Sequence, residues 1–127
     1  MTFTRDSHKE AATSFLRLVV AGNIRKAFGD HVSPNMRHHN VFFPGDAVSL
    51  EKAMEENHTQ YSHKVIDVKR TLEEESLVVV HSHIRLRNDD PGFAAVHIFR
   101  FEGDRIVEMW DIGQAVPRDS PNSNGMF

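Results

Sequence analysis

The hydrophobic pattern of the first half of the chain predicts helices. Apolar residues recur at helical spacing after a Ser7-x-x-Glu10 capping box, and this first run stops at Gly22. A second, short helix is expected to end at Gly29, and Ser49 is the expected N-cap of a third. The predicted helices span residues 7–21, 24–28 and 49–61. Residues 35–43, rich in β-branched and aromatic side chains, predict a short strand or an extended loop.

From residue 64 onward, apolar and polar residues alternate, which is typical of half-buried strands. An acidic turn at 73–75, a loop at 88–92 and a hairpin turn at Gly103 separate the alternating runs. The predicted strands start near Val65 and then span residues 77–86, 94–101 and 106–117. Strands should therefore dominate the second half of the chain.

Helices followed by a meandering sheet predict an α+β fold. We expect a cone-shaped domain in which about three N-terminal helices pack on a curved, mainly antiparallel β-sheet that encloses a pocket. The expected domain covers residues 1–117. Residues 118–127 are rich in Pro, Ser, Asn and Gly and are predicted to form a C-terminal tail.

The composition of the chain limits the partners and the cellular location that we expect for this domain. The 127 residues carry 15 Lys and Arg against 18 Asp and Glu, a formal charge of −3, with no basic block, so we expect no nucleic acid partner. The absence of Cys removes disulfides and thiolate chemistry and suits a reducing cytoplasm, which is the expected location. Neither a signal peptide nor a membrane span is indicated by the sequence.

Polar residues interrupt the apolar runs at three strand centres, where a curved sheet can gather them around one cavity. His81 and His83 share one side of their strand, whereas His97 lies in an aromatic row with Phe99 and Phe101. The apolar neighbours of Asp111 would half-bury its carboxylate and raise its pKa toward that of a usable base.

The turn at Gly103 decides whether the candidate acid and base face the same way. A two-residue turn sets His97 opposite Trp110, whereas a three-residue turn with a bulge sets His97 opposite Asp111. The alternation of residues alone allows both registers.

The histidines and Trp110 also allow other interpretations. His81 and His83 could join His97 or His39 in a metal site, but no carboxylates lie at ligand spacing, so no metal is expected. The simpler interpretation is that His81 and His83 lie on a solvent-facing surface or at an interface. Trp110 in a strand equally fits a core or an interface.

Several strings of the chain together resemble one protein family. They are the run Arg37-His38-His39-Asn40, the pair His81-Ser82 after a valine run, the ending IFRFEGDRIVEMWDIGQAVP and a terminal NGMF. Over nearly the whole length the chain is similar to the SnoaL-like proteins, which are related to polyketide cyclases. These belong to the fold group of nuclear transport factor 2, ketosteroid isomerase and scytalone dehydratase, whose cone-shaped domain often dimerises through its sheet.

The resemblance implies a mechanism and the bulged register. Polyketide cyclases of the family use an Asp of the last strand as acid/base, with a His nearby, and Asp111 and His97 occupy the matching positions as the expected catalytic pair. No cofactor is implied. The residues expected to contact substrate are His39, His81, Phe99, Phe101 and Trp110.

The expected function is that of a small cofactor-independent enzyme acting on a carbonyl compound. Aldol cyclisation, isomerisation and dehydration are all compatible, so the class is isomerase or lyase, and the expected partners are a small hydrophobic carbonyl-containing ligand and a second copy in a homodimer. The alternative is a non-catalytic small-molecule-binding or dimerisation module of the same fold. The enzyme hypothesis predicts a roomy cavity that contains Asp111. The hypothesis of a non-catalytic module predicts a cavity filled by side chains, or an Asp111 whose carboxylate is held by backbone donors.

Overall fold

The computed structural model describes residues 7–127, which form three helices and five strands. No helix within these residues is long and apolar enough to cross a membrane. The helices are α1 (His8–Val20), α2 (Ile24–His31) and α3 (Ala47–Gln60), and the strands are β1 (Val32–His38), β2 (Val65–Glu74), β3 (Leu77–Arg85), β4 (Phe93–Glu102) and β5 (Arg105–Ala115).

Helix α1 begins where the capping pattern predicts. The Ser7 side chain accepts a hydrogen bond from the backbone N–H of Glu10 at 3.2 Å, which satisfies one of the free donors of the first turn. The helix buries one face, including Phe15 and Leu16, against the sheet. Its apolar stripe therefore anchors it to the core.

The other two helices differ from the expected bounds. Helix α2 continues through Gly29 to His31, because the backbone at Gly29 does not take the left-handed conformation that ends a helix. Helix α3 begins at Ala47, and its N-cap is Asp46, whose carboxylate accepts hydrogen bonds from both the backbone N–H and the hydroxyl of Ser49. Asp46 is the better cap because its side chain reaches the donors of the first turn.

The strands form one sheet in the order β1-β5-β4-β3-β2. Strand β1 runs parallel to β5, and the other three pairs are antiparallel. Strand β1 begins at Val32, three residues before the expected extended segment, and the chain then crosses to α3 through residues 39–46. The predicted α+β class, with three helices on a mainly antiparallel sheet, is confirmed; the curled sheet does not close into a barrel.

The helices pack on one face of the sheet, called here the inner face. Its central residues, such as Val80 and Phe99, are completely buried, and the rings of Phe99 and Phe15 lie 5.9 Å apart. The alternate residues point to the outer face, where Ile112 is 61% exposed. Every side chain of the central strands therefore belongs either to the inner face or to the outer face.

Candidate functional site

A cavity of about 600 Å³ lies between the inner face of the sheet and helices α1 and α3. Its walls are largely apolar, including Leu16, Leu50 and Phe93. Residues 41–43 border its mouth, and among them Val41 and Phe42 are 88% and 82% exposed. The polar residues on its lining are His39, Asn40, Asn57, Lys64, His97 and Asp111.

The hairpin between β4 and β5 brings two of these residues together. Glu102 pairs with Arg105 around a two-residue turn, and a bulge between the pairs Phe101–Ile106 and Arg100–Glu108 shifts β5 by one position. His97 is therefore the direct cross-strand partner of Asp111. This confirms the predicted register, although the turn has two residues and the bulge is separate from it.

The carboxylate of Asp111 is held by a residue from the loop after β1. Asn40 Nδ2 donates to Asp111 Oδ2 at 2.9 Å, and Asn40 Oδ1 accepts from the backbone N–H of Phe42 at 3.0 Å. The second bond closes a side-chain turn that fixes the amide, so Nδ2 points toward the carboxylate. No other hydrogen bond to this carboxylate occurs within residues 7–127, so Oδ1 is available to a ligand.

The buried His38 fixes the same loop from its other side. Its Nδ1 accepts from the backbone N–H of Asn40 at 3.1 Å, so Nε2 carries the proton and donates to the carbonyl of Pro44 at 2.6 Å. The two bonds tie both ends of the 40–44 segment to one ring. His38 thus positions Asn40 and, through it, Asp111.

His97 lies in surroundings that favour its neutral form. Burial among apolar side chains lowers the pKa of His97 below its ordinary value of 6.5, and the Asp111 carboxylate offsets only part of that effect. Its Nδ1 is buried and has no hydrogen-bond partner among the described residues. A neutral imidazole can still donate a hydrogen bond through its protonated nitrogen.

The two phenylalanines predicted to contact substrate lie deeper than the cavity. Phe99 is completely buried and Phe101 is 2% exposed, both within the hydrophobic core. Neither belongs to the lining of the cavity, whereas Phe93 of the same row does. The aromatic row of β4 thus contributes to the cavity wall at only one end, because α1 covers the other.

His39 and Trp110 lie together on the outer face of the sheet. Their rings stack at 4.9 Å, and His39 Nε2 is 2.7 Å from Oε2 of Glu108. Glu108 also accepts from Arg100 Nε at 3.0 Å, and these two hydrogen bonds lower the pKa of its carboxyl group. His39 also belongs to the lining of the cavity.

His81 also lies on the outer face. Its ring contacts the guanidinium of Arg70 and the ring of Phe127, which packs on His83 at 4.6 Å between ring centroids. Burial and the charges of Arg70 and Lys69 lower the pKa of His81. The predicted sharing of one strand side by His81 and His83 is confirmed, and that side does not face the cavity.

The structure therefore brings the predicted catalytic pair and His39 to one cavity, whereas the other predicted substrate contacts are not part of its lining: His81, Phe99, Phe101 and Trp110. Among residues 7–127, no group of three or more His, Asp or Glu side chains is arranged to hold a metal ion. Asn40 stands in the family-like run of residues 37–40, and its contact with Asp111 was not predicted. Lys64 and Asn57, also on the cavity lining, carried no recognisable sequence signal.

Comparison with solved structures identifies the fold as NTF2-like. An NTF2-like protein of unknown function from Cytophaga hutchinsonii superimposes with a TM-score of 0.71, at 15% identity over 89% of this chain and 95% of that chain. A candidate polyketide cyclase from Acidithiobacillus ferrooxidans gives 0.68, at 15% identity over 88% and 92%. The candidate hydroxylase AclR from Streptomyces galilaeus gives 0.65, at 20% identity over 86% and 81%. At these identities the similarity shows the fold alone.

The family follows from the sequence. The model of the SnoaL-like domain matches residues 12–109, more than half of the chain, and the protein therefore belongs to the SnoaL-like family. The resemblance drawn from the sequence motifs is thus confirmed. A comparison with curated protein sequences found no match.

Proposed function

We propose that this protein is a proton-transfer enzyme that acts on a small apolar carbonyl compound in the cavity beside Asp111. The observation that carries the proposal is the cross-strand pair of Asp111 and His97, both of which line one largely apolar cavity. Removal of a proton from a carbon beside a carbonyl needs a base at the carbon and a donor at the oxygen. The pair supplies one group of each kind.

Asp111 is the proposed base. Asn40 holds one carboxylate oxygen, and the other is available to a C–H bond of the substrate. The proton moves to the Asp111 carboxylate, and the electron pair of the C–H bond moves onto the carbonyl oxygen as an enolate. His97 donates a hydrogen bond to that oxygen from its neutral imidazole, which the lowered pKa favours.

The fate of the enolate defines the reaction class. Attack on a second carbonyl of the same molecule gives an aldol cyclisation, return of the proton to another carbon gives an isomerisation, and loss of a β-hydroxyl gives a dehydration. The candidate polyketide cyclase among the structural neighbours has the same fold, which makes cyclisation the reaction of first choice. Asp111 and His97 would have the same roles in each case.

Two features favour an enzyme over a non-catalytic module. The cavity is not filled by side chains, and Asp111 is bound by the Asn40 side chain rather than by backbone donors. A binding module would not need a second titratable group opposite the carboxylate. The module remains the outcome if a ligand binds without proton exchange.

The test is hydrogen–deuterium exchange at the α-carbon of 2-tetralone, an apolar bicyclic ketone, followed in D₂O by proton NMR. The protein should accelerate exchange over buffer, Asp111→Asn should slow the catalysed rate about a hundredfold or more, and His97→Gln about tenfold. Asp104→Asn, in the exposed hairpin turn, is the matched control and should retain the full rate.

The outcomes separate the alternatives. Full activity in Asp111→Asn rejects the base assignment. Tight binding of 2-tetralone with exchange no faster than in buffer supports the binding module instead.

A further inference from the structure

The cavity carries a second polar pair away from His97 and Asp111. Lys64, just before β2, and Asn57, in the last turns of α3, both belong to its lining. Lys64 Nζ donates to Asn57 Oδ1 at 2.6 Å. The other lining residues of α3 and β3 are apolar: Leu50, Ala53, Met54 and Ile84.

The ammonium group of Lys64 has no acidic partner among the described residues. Within residues 7–127, no carboxylate lies within 4.0 Å of its Nζ, whereas Lys26 and Lys69 each contact an aspartate at 2.8 Å or less. Lys64 is half-buried, and this burial lowers its pKa. A partly desolvated cation without a counter-ion attracts an anion that enters the cavity.

Asn57 makes the site better suited to an anion. Its Oδ1 accepts the Lys64 proton, and this bond leaves the two N–H donors of Nδ2 for another acceptor. One ammonium and one amide together match a singly charged acid such as a carboxylate. A doubly charged phosphate would normally have more cations around it.

The sheet topology separates this pair from the proposed catalytic pair. Asp111 lies on β5 and Lys64 precedes β2, so β4 and β3 lie between them. Three strand spacings amount to about 14 Å on a flat sheet, and the curl of the sheet shortens the path. A molecule that contacts both pairs needs an extended apolar body with one polar group at each end.

We infer that Lys64, together with Asn57, binds the carboxylate of an apolar keto acid whose carbonyl lies between His97 and Asp111. The position of the carbonyl between His97 and Asp111 rests on the proposed function. The binding of the carboxylate rests only on Lys64, Asn57 and their place on the cavity lining. Lys64 thus selects for acids among carbonyl compounds of similar shape.

The test compares two probes with the same ring system, 2-naphthoate and the neutral ketone 2-acetylnaphthalene, by calorimetric titration. The wild type should prefer 2-naphthoate, and Lys64→Met should weaken that binding about tenfold while leaving the affinity for the ketone within about twofold. Lys64→Arg should retain the preference, since it keeps the charge. Lys52→Met, which removes an exposed lysine of α3, is the matched control and should behave as wild type.

The inference is overturned if the wild type does not bind 2-naphthoate, if Lys64→Met binds it with unchanged affinity, or if that variant weakens the binding of both probes equally. Failure of 2-acetylnaphthalene to displace 2-naphthoate would also overturn it, because the two would then occupy different sites. Thermal unfolding of each variant shows that the fold is kept.

Failure of the anion site and failure of the proposed function give different results. If preference for 2-naphthoate depends on Lys64 while 2-tetralone exchange is absent, the anion site stands without the catalytic role. If exchange depends on Asp111 while Lys64→Met binds 2-naphthoate normally, the catalytic role stands and the anion site is wrong.

Discussion

His97 and Asp111 are directly opposite residues of β4 and β5, and both side chains border the same apolar cavity. A single extra residue in β5, at the bulge beside Arg100, produces this arrangement. Without the bulge, Trp110 would face His97 and the carboxylate would lie on the other side of the sheet. One backbone irregularity therefore assembles the candidate site.

Asn40 should affect the reaction through the orientation of Asp111. In Asn40→Ala, the carboxylate loses its one side-chain donor within the described residues, and we expect the catalysed exchange rate to fall about tenfold to a hundredfold. The fall should appear in kcat rather than in KM, because orientation matters most in the transition state. Steady-state exchange kinetics with 2-tetralone measure both. Asn35→Ala, at an exposed position of β1, should leave kcat unchanged.

His97 should make the fold sensitive to acid. Because its pKa is lowered in the folded state, the unfolded chain binds a proton more readily below about pH 6.5, and the free energy of unfolding should decrease there as pH falls. His97→Gln should reduce that dependence by at most about 1.4 kcal/mol per pH unit. Urea unfolding between pH 7.5 and 5 measures it. An unchanged slope would contradict the buried neutral state, and the exposed His63→Gln serves as the control.

Glu108 should stabilise the outer face and the loop after β1. It is buried and accepts from His39 and Arg100, so Glu108→Gln should lower the free energy of unfolding by about 1–3 kcal/mol at pH 7. Its lowered pKa means that this contribution is present above its ordinary value of 4.5 and is lost as pH falls through the folded-state value. The difference between variant and wild type should therefore shrink in acid.

The matched control for Glu108 is Glu102→Gln. Glu102 binds the same Arg100 at 3.3 Å but is exposed, so its loss should change stability little. Equal effects of the two variants would contradict the stabilising role of the buried carboxylate.

Two glycines with similar backbone conformations should differ in their tolerance of a side chain. Gly92 and Gly103 have φ of +74° and +60°, but a Cβ at Gly92 would lie 2.2 Å from the carbonyl oxygen of Ile84, whereas one at Gly103 meets nothing within 4 Å. Gly103→Ala should cost about 1 kcal/mol from conformation alone. Gly92→Ala should cost at least about 2 kcal/mol more, since backbone must move. Urea unfolding measures both, and equal costs would contradict the close approach.

Much of the fold could be predicted from local patterns. The capping box at Ser7, the helical spacing after it and the alternation from Val65 onward are short-range signals, and each produced the expected element. Element ends were less accurate. Asp46 displaced Ser49 as the N-cap of α3, because the geometry of the chain entering a helix depends on the preceding loop.

The candidate site was only partly predictable. The alternation of apolar and polar residues places His97 and Phe99 on one strand face, but it does not tell which part of that face a helix covers. In the structure Phe99 lies in the hydrophobic core, whereas His97 lines the cavity. The substrate roles assigned to His39, His81 and Trp110 stay predictions. Their side chains lie on the outer face, and of the three only His39 also borders the cavity. The contact of Asn40 with Asp111 joins residues 71 positions apart.

The sequence by itself determined the helices, the strands, the face alternation and the family, because those depend on residue types at short, regular spacing. Tertiary structure alone decided three things: the bulge that pairs His97 with Asp111, the loop that brings Asn40 to that carboxylate, and the placement of Lys64 on the same cavity. Each depends on how distant segments pack together. Hydrophobic periodicity carries no information about such long-range contacts.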